Sequence, residues 1–452
     1  MKKEINNVFS LIEREIEKQL NPKTDVRKSF SYEKNKKAIF KKSSIVQESS
    51  INGFSTWSES SAVYDSSLNL IKNGNVRNTF RTIFGKDFSP QGDIGCHPDF
   101  EHLKDSEDLE NGYSVTMFMD IVGSTKLGRL YEPERVFNIK NTIIKHAIEI
   151  IQSFDGHVHR IMGDAVMAFF RSSEKEKLNK QNDSAIDSLN CAIYIIEMME
   201  RVVVPVLGEI GAEDPIGIRI GIDYGEYNDV VWGNYGAHNA FEVTATSYYV
   251  DVAAKLQQVA KTNKIMIGDN FKKLIGFGDE YTSYLEKTKN GEVNKIKHVR
   301  PNYKIRGQLI NYRQYELNNK ALFDFLPFGK MFDTEIKVKL IVSVDNFSFE
   351  YKNCSYSLDK GLKLLFKVEY PENNLKKIPH IRSRKQNTGP ESKSHNANNE
   401  VIRTHLMEYY NSSFHGEINE STSYRGLHHM YIDVCDEKNN VIDSTCFSLY
   451  IS

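Results

Sequence analysis

Apolar side chains recur at Ile5, Val8, Phe9, Ile12, Ile16 and Leu20 with charges between them, which predicts an amphipathic helix over residues 3–20. A Ser-, Asn- and Lys-rich run without clear periodicity follows to about residue 60. Residues 1–110 read as an N-terminal extension, helical and partly flexible, without obvious chemistry. From residue 113 the texture changes. YSVTMFMDIV predicts a strand, and EPERVFNIKNTIIKHAIEIIQSF a helix with Val136, Ile139, Ile143, Ile144, Ala147, Ile148 and Ile151 on one face. GHVHRIMGDAVMAFF predicts two short strands around a Gly-Asp turn. SAIDSLNCAIYIIEMMERVVVPVL predicts a second amphipathic helix, IGIRIGIDYGE a strand and DVAAKLQQVA a helix. NKIMIGDNF predicts a strand entering a helix, and INYRQYEL a last strand. The order β-α-β-β-α-β is that of a ferredoxin-like, split βαβ unit, so the fold class is α+β with this domain at 111–320.

Beyond Pro327, IKVKLIVSV, FSFEY, KLLFKVEY, HHMYIDVCD and CFSLYIS predict a C-terminal β-sandwich domain at 330–452. KKIPHIRSRKQNTGPESKSHNANNE, lying between these runs, reads as a long flexible loop.

Composition narrows the class without naming it. Lys+Arg of 59 against Asp+Glu of 60 leaves a net charge of −1, so no global field attracts nucleic acid or an anionic membrane. Five scattered cysteines (Cys96, Cys191, Cys354, Cys435, Cys446) without a CxxC pair suit neither a disulfide framework nor a structural zinc site, and a reducing cytoplasm is the expectation. Charges throughout the first twenty residues exclude a signal peptide, and no run approaches the ~20 apolar residues of a membrane span.

Two aspartates stand where a buried strand should not want charge: Asp120 in FMDIVGST and Asp164 in HRIMGDAV. A single Asp in a turn is usually a cap. In a split βαβ sheet, however, the first strand neighbours the hairpin formed by the second and third, so the two carboxylates would share one place. Two carboxylates with a backbone carbonyl suit Mg²⁺, and Gly123-Ser124-Thr125, opening a helix, offers N–H groups to phosphate. Metal beside a phosphate cradle points to nucleotide chemistry.

FMDIVGSTKLGRLYEPERV, GHVHRIMGDAVMAFF, IGIRIGIDYGE and YYVDVAAKL together resemble the catalytic domain of class III nucleotidyl cyclases, over about residues 112–318. The resemblance implies that Asp120 and Asp164, helped by the Ile121 carbonyl, hold two Mg²⁺ or Mn²⁺ ions per site. The ribose 3′ oxygen then attacks the α-phosphorus and pyrophosphate leaves. It also implies a homodimer, because sites of this family lie between two head-to-tail domains and this chain carries one. Lys255 falls on the family's transition-state arginine and Asp251 on its asparagine; Lys304 and Arg306 fall near a triphosphate-contacting lysine. Arg160 and Thr244 fall on the two base-reading positions and match neither purine set. Arginine offers only donors, which suits pyrimidine carbonyls, and uracil's two carbonyls favour UTP over CTP. Arg160 is alternatively a surface ion-pair partner, and Tyr131 either flanks the base or packs in the core.

The extension, the departures from the purine set and the C-terminal domain resemble the pyrimidine cyclases of bacterial anti-phage (Pycsar) systems. HGEINESTSYRGLHHMYIDVCDEKNNVI resembles their AGS-C sensor module. This implies a uridylate cyclase making cyclic UMP, or a cytidylate cyclase making cyclic CMP, that signals to a separate cyclic-nucleotide-responsive effector. An adenylate or guanylate cyclase, or an inactive nucleotide sensor suggested by Asp251 and Lys255, are the remaining readings. His428 and His429 are adjacent on a strand and point to opposite faces, so at most one faces any one pocket, and a solvated or structural role is expected rather than a metal site.

Overall fold

The computed structural model describes residues 8–20, 76–86, 93–171, 179–209, 216–237, 240–289, 291–372, 378–397 and 400–452. The Ser/Asn/Lys-rich run of the extension lies outside the described residues. Nine strands position the site: β1 (Leu109–Asn111), β2 (Ser114–Val122), β3 (Gly156–Met162), β4 (Ala165–Phe170), β5 (Gly217–Gly225), β6 (Val231–Ala237), β7 (Ala240–Thr246), β8 (Lys264–Gly268) and β9 (Thr282–Ser283). The central sheet runs β3-β4-β2-β5-β8, then the strand Gln314–Leu317, then β9. Its antiparallel part, β3-β4-β2-β5, is the split βαβ order expected from the sequence. β8 adds parallel to β5 after the helix Tyr248–Val259. β1, β6 and β7 form a separate three-stranded sheet that the strand signals did not reveal.

The helix Pro133–Ser153 starts with its proline at the first turn, where no N–H is needed, and buries Ile139, Ile143, Ile144, Ala147, Ile150 and Ile151. The helix Lys180–Met198 differs from the amphipathic expectation. Every residue from Ser184 to Met198 is buried. The C-terminal domain covers the face that would otherwise meet water: Asn190 Nδ2 donates to the Cys354 carbonyl at 2.9 Å, and the Ser357 N–H to Asp183 at 2.9 Å.

The extension is likewise part of the core. Val8, Ile12 and Ile16 of the helix Val8–Leu20 have no exposed surface. Phe80 and Phe84, on the helix Val76–Phe84, pack on Phe154 and Tyr194 with ring centres 4.6–5.9 Å apart. Burying these aromatic faces is worth several kcal/mol, so the described part of the extension is a structural layer.

The C-terminal region forms two five-stranded sheets around one apolar core that includes Leu340, Phe366, Ile381, Ile418, Ile432 and Phe447. Within the stretch read as a flexible loop, His380–Gln386 is an interior strand bonded on both sides, and Pro390–Ser394 is a helix. Only Ile381 supplies an aliphatic side chain there, so the apolar pattern is faint. The strand is held instead by its backbone ladders and by cross-strand pairs: Arg382 Nη2 donates to Asp433 at 2.7 Å, and Arg384 lies over the Tyr431 ring at 4.1 Å.

His428 and His429 serve this domain and its seam with the cyclase-like sheet. His428 Nε2 donates to the Tyr424 carbonyl at 2.6 Å, and its Nδ1 accepts the Thr388 N–H at 3.2 Å. His429 shares hydrogen bonds with Ser448 and Tyr281 and stacks on Phe325 at 4.0 Å. Among the described residues, no helix is long and apolar enough to cross a membrane.

Candidate active site

β2 is fully buried over Ser114–Met117, and from Phe118 every second residue, Asp120 among them, is half-buried. Across the ladders Asp120 pairs with Ala165 of β4 and with Arg219 of β5. Its Oδ2 accepts from Arg219 Nε at 2.9 Å, from Arg219 Nη2 at 2.7 Å and from Gln257 Nε2 at 3.2 Å. The β3–β4 hairpin turns on two residues, Gly163 and Asp164. Gly163 has φ 66°, as the first central position of a type II′ turn requires. Because Asp164 immediately precedes Ala165, the turn delivers it to the same end of the sheet as Asp120, and the Ile121 N–H donates to the Asp164 carbonyl at 3.3 Å. Lys140, from the helix Pro133–Ser153, stands 3.7 Å from Asp164 Oδ2. Each carboxylate is therefore faced by a cation, which offsets the cost of its partial burial.

The chain leaves β2 through Gly123, at φ 86° and ψ −2°, a left-handed conformation that favours glycine. Ser124 is buried at the start of the short helix Ser124–Leu130, and Thr125 is exposed. Tyr131 ends that helix half-buried against the core, with Arg135 over its ring at 4.8 Å.

Arg160 lies beside an irregularity in the β3–β4 ladder. Its guanidinium grips Glu242 of β7 with two nitrogens: Nε donates to Oε2 at 3.0 Å, and Nη2 meets Oε1. This fork is the geometry at which arginine and carboxylate bind best. Segment 93–97 holds the two strands in place, since the Gly95 N–H donates to the His159 carbonyl at 2.8 Å and the Val243 N–H to the Gly95 carbonyl at 2.7 Å. Thr244 is buried two residues further along β7, on the Glu242 side of the strand. His159 is buried with its Nε2 3.7 Å from Glu242, and burial, with lesser contributions from His157 and Arg160, pushes its pKa down to about 3. It therefore packs as a neutral ring.

The helix Tyr248–Val259 begins at Ser247, whose side chain accepts the Tyr249 N–H at 3.2 Å. The helix lies directly on β5: a Cβ on Gly221 would come within 2.2 Å of the Gln257 nitrogen. Gln257 reaches Asp120, whereas half-buried Lys255 places its ammonium 6.0 Å from the Tyr303 ring centre. Asp251 is exposed in the first turn, its N–H bonded to the Ser247 carbonyl at 3.2 Å. Lys304 and Arg306 are exposed on the hairpin that pairs Lys304 with Leu309.

The structure thus brings Asp120, Asp164 and the backbone of Ile121 together, and sets Arg160 and Thr244 at a second place. Two carboxylates, one carbonyl and no sulfur or imidazole form a donor set that fits Mg²⁺ or Mn²⁺. Sequence reasoning missed Arg219, Gln257, Lys140 and Glu242. Arg219 carried a signal, since it stands near the start of β5, which pairs with β2. Glu242 carried a weaker one, lying two residues from Thr244.

Comparison with known proteins agrees with this architecture. The profile of the adenylate and guanylate cyclase catalytic domain matches residues 110–311, and that of the adenylyl/guanylyl and SMODS C-terminal sensor domain matches residues 313–452. The chain belongs to the class III nucleotidyl cyclases that carry this C-terminal sensor domain. A cytidylate cyclase of Escherichia coli is 42% identical over 408 residues, which cover 86% of each chain. One from Staphylococcus aureus is 32% identical over 400 residues, covering 85% of this chain and 90% of the relative. Among solved structures, the adenylyl cyclase CyaB from P. aeruginosa is 20% identical with a TM-score of 0.37, covering 46% of this chain and 95% of that one.

Proposed function

We propose that the protein converts CTP to 3′,5′-cyclic CMP and pyrophosphate. The observation that carries this reading is the Arg160–Glu242 fork. Cytosine presents acceptors at O2 and N3 beside a donor amine at N4. A guanidinium offers donors, and the adjoining carboxylate is the kind of group that accepts from cytosine N4. Uracil has a carbonyl where cytosine has the amine, so Glu242 would oppose lone pair to lone pair. The preference for UTP considered Arg160 alone, and Glu242 reverses it. The relatives named cytidylate cyclase support the same base.

Divalent cations held by Asp120, Asp164 and the Ile121 carbonyl would supply the charge that neutralises the triphosphate and the attacking oxygen. The chain's own residues do the rest. Arg219 and Lys140, which pair with the two carboxylates, turn to the phosphate oxygens when the nucleotide binds. Gly123, Ser124 and Thr125 offer N–H groups to the phosphates. Lys255 supplies a point charge at the reacting phosphate, without an arginine's fork. Gln257 and Lys255, two residues apart on one helix, diverge by ~200°. With Gln257 turned to Asp120, Lys255 serves the site of a second copy, and a head-to-tail homodimer completes two equivalent sites. Tyr131 packs half-buried against the core, with the Arg135 guanidinium over its ring.

Fusion to a sensor domain fits a messenger synthesised on demand in the cytoplasm, during phage infection, for a separate effector. The test of the reading is purified full-length protein with each of the four nucleoside triphosphates and Mg²⁺ or Mn²⁺, products resolved by mass. Cyclic CMP should predominate. Predominant cyclic UMP would overturn the base assignment, and no product from any nucleotide would overturn the enzyme.

A further inference from the structure

The helix Val8–Leu20 docks on the helix Pro133–Ser153 through an apolar face, and at its rim two carboxylates and an imidazole converge. Glu15 from the first helix meets His146 and Glu149 from the second, which lie three residues apart and so share a face. One ligand atom from each lies within 4.8 Å of the other two. His146 is fully buried, and its Nδ1 is 2.9 Å from the Thr142 carbonyl. A carbonyl only accepts, so Nδ1 carries the proton, and in the neutral ring Nε2 presents a lone pair. That Nε2 has no hydrogen-bond partner, yet lies 3.3 Å from Glu15 Oε2. A buried lone pair turned on a carboxylate is unfavourable unless a cation stands between them. A histidine whose other nitrogen donates to a backbone carbonyl is also what metal-binding histidines commonly show.

We propose that Glu15, His146 and Glu149 bind one divalent cation of the zinc type, which fastens the N-terminal helix to the helix Pro133–Ser153. One imidazole nitrogen and two carboxylate oxygens form a set that Zn²⁺ accepts, with water in the fourth position. In a tetrahedral set with metal–ligand bonds of about 2.0–2.2 Å, ligand atoms lie about 3.3–3.6 Å apart, so the glutamate oxygens, now within 4.8 Å, close by up to about 1.5 Å. Both have partly exposed side chains that can do so. Lys145 stands 3.7 Å from Glu15 Oε2 and 3.9 Å from Glu149 Oε1, and its 44% exposed side chain is free to swing into solvent. The site is separate from Asp120 and Asp164, but the helix that carries it also carries Lys140, the partner of Asp164.

The experiment uses the full chain with Asp120→Ala and Asp164→Ala, so that those carboxylates do not compete for metal. The protein is equilibrated with Zn²⁺, desalted and analysed for bound metal, and its thermal midpoint is compared with and without Zn²⁺. One zinc per chain and a midpoint raised by several degrees are expected. Both should be lost in Glu15→Gln and in His146→Gln. Glu15 lies at the partly exposed rim, so Glu15→Gln keeps the test valid if the buried histidine substitution harms folding; circular dichroism checks this. No retained zinc overturns the proposal, as does zinc retained equally by a folded Glu15→Gln variant.

Discussion

Asp164 and Arg160 stand four residues apart on one hairpin, yet different parts of the molecule position them. Asp164 is placed locally: a two-residue turn, Gly163 at φ 66° and the β4–β2 ladder bring it beside Asp120. Arg160 is placed by its grip on Glu242, 82 residues away, which depends on the β6–β7 hairpin and on Gly95 joining β7 to β3. The carboxylate corner therefore belongs to the core sheet, whereas the Arg160–Glu242 pair, proposed to read the base, joins that sheet to an appended one. On the proposed function, base preference at the second place should change without disturbing the first.

The largest expected effect falls at the corner. Asp120→Ala or Asp164→Ala should lower cyclase activity by at least about a thousandfold, since several kcal/mol of charge stabilisation depend on each carboxylate. Folding and nucleotide preference of any residual activity should be unchanged; a changed preference would break the division between the two places. Next comes the Arg160–Glu242 pair, proposed to read the base. Glu242→Gln should reduce the ratio of kcat/KM for CTP over UTP by about tenfold to a hundredfold, the 1–3 kcal/mol of one base contact. If the ratio does not move, the distant strand has no share in recognition.

A smaller effect tests the partition across a dimer. Asp120→Ala and Lys255→Ala should each be inactive alone, but their equimolar mixture after subunit exchange should recover about a quarter of wild-type activity, from the single intact site of each mixed dimer. No recovery would place Lys255 on its own chain's carboxylates.

Stability against pH gives subtler readouts. Burial lowers the pKa of His157 and His428 to about 4, and of His159 and His429 to about 3. Between those values and the ordinary 6.5 the unfolded chain binds protons that the folded chain refuses, so stability falls as pH drops from about 6.5 towards 3–4. Urea midpoints measured across that window should show it in both halves of the molecule. Asp223 has the opposite sign. It is fully buried, accepts from the Tyr312 hydroxyl at 3.0 Å, and burial raises its pKa to about 8. The folded chain keeps that proton while the unfolded chain releases it above 3.8, so stability is lost as pH rises towards 8. Asp223→Asn keeps a neutral acceptor and should raise the melting midpoint by a few degrees at pH 8, with little change near pH 4.

Local periodicity, turn chemistry and strand order were enough to reveal the split βαβ sheet and the meeting of Asp120 with Asp164, because each depends on neighbours in sequence or on one rule of strand pairing. Those signals also identified the apolar face of the first helix. They were silent where long-range contact does the work. The helix Lys180–Met198 looks amphipathic because its polar residues, Asp183 and Asn190 among them, bond to a domain more than 160 residues away. His380–Gln386 looks like a loop because backbone ladders and arginine pairs replace an apolar face. Arg160 by itself suggested donors to two carbonyls; only the fold supplied the acceptor beside it. The sequence alone determined the chemistry that backbone geometry can place, and tertiary structure decided which charges meet, since partners distant in the chain leave no periodicity for the sequence to show.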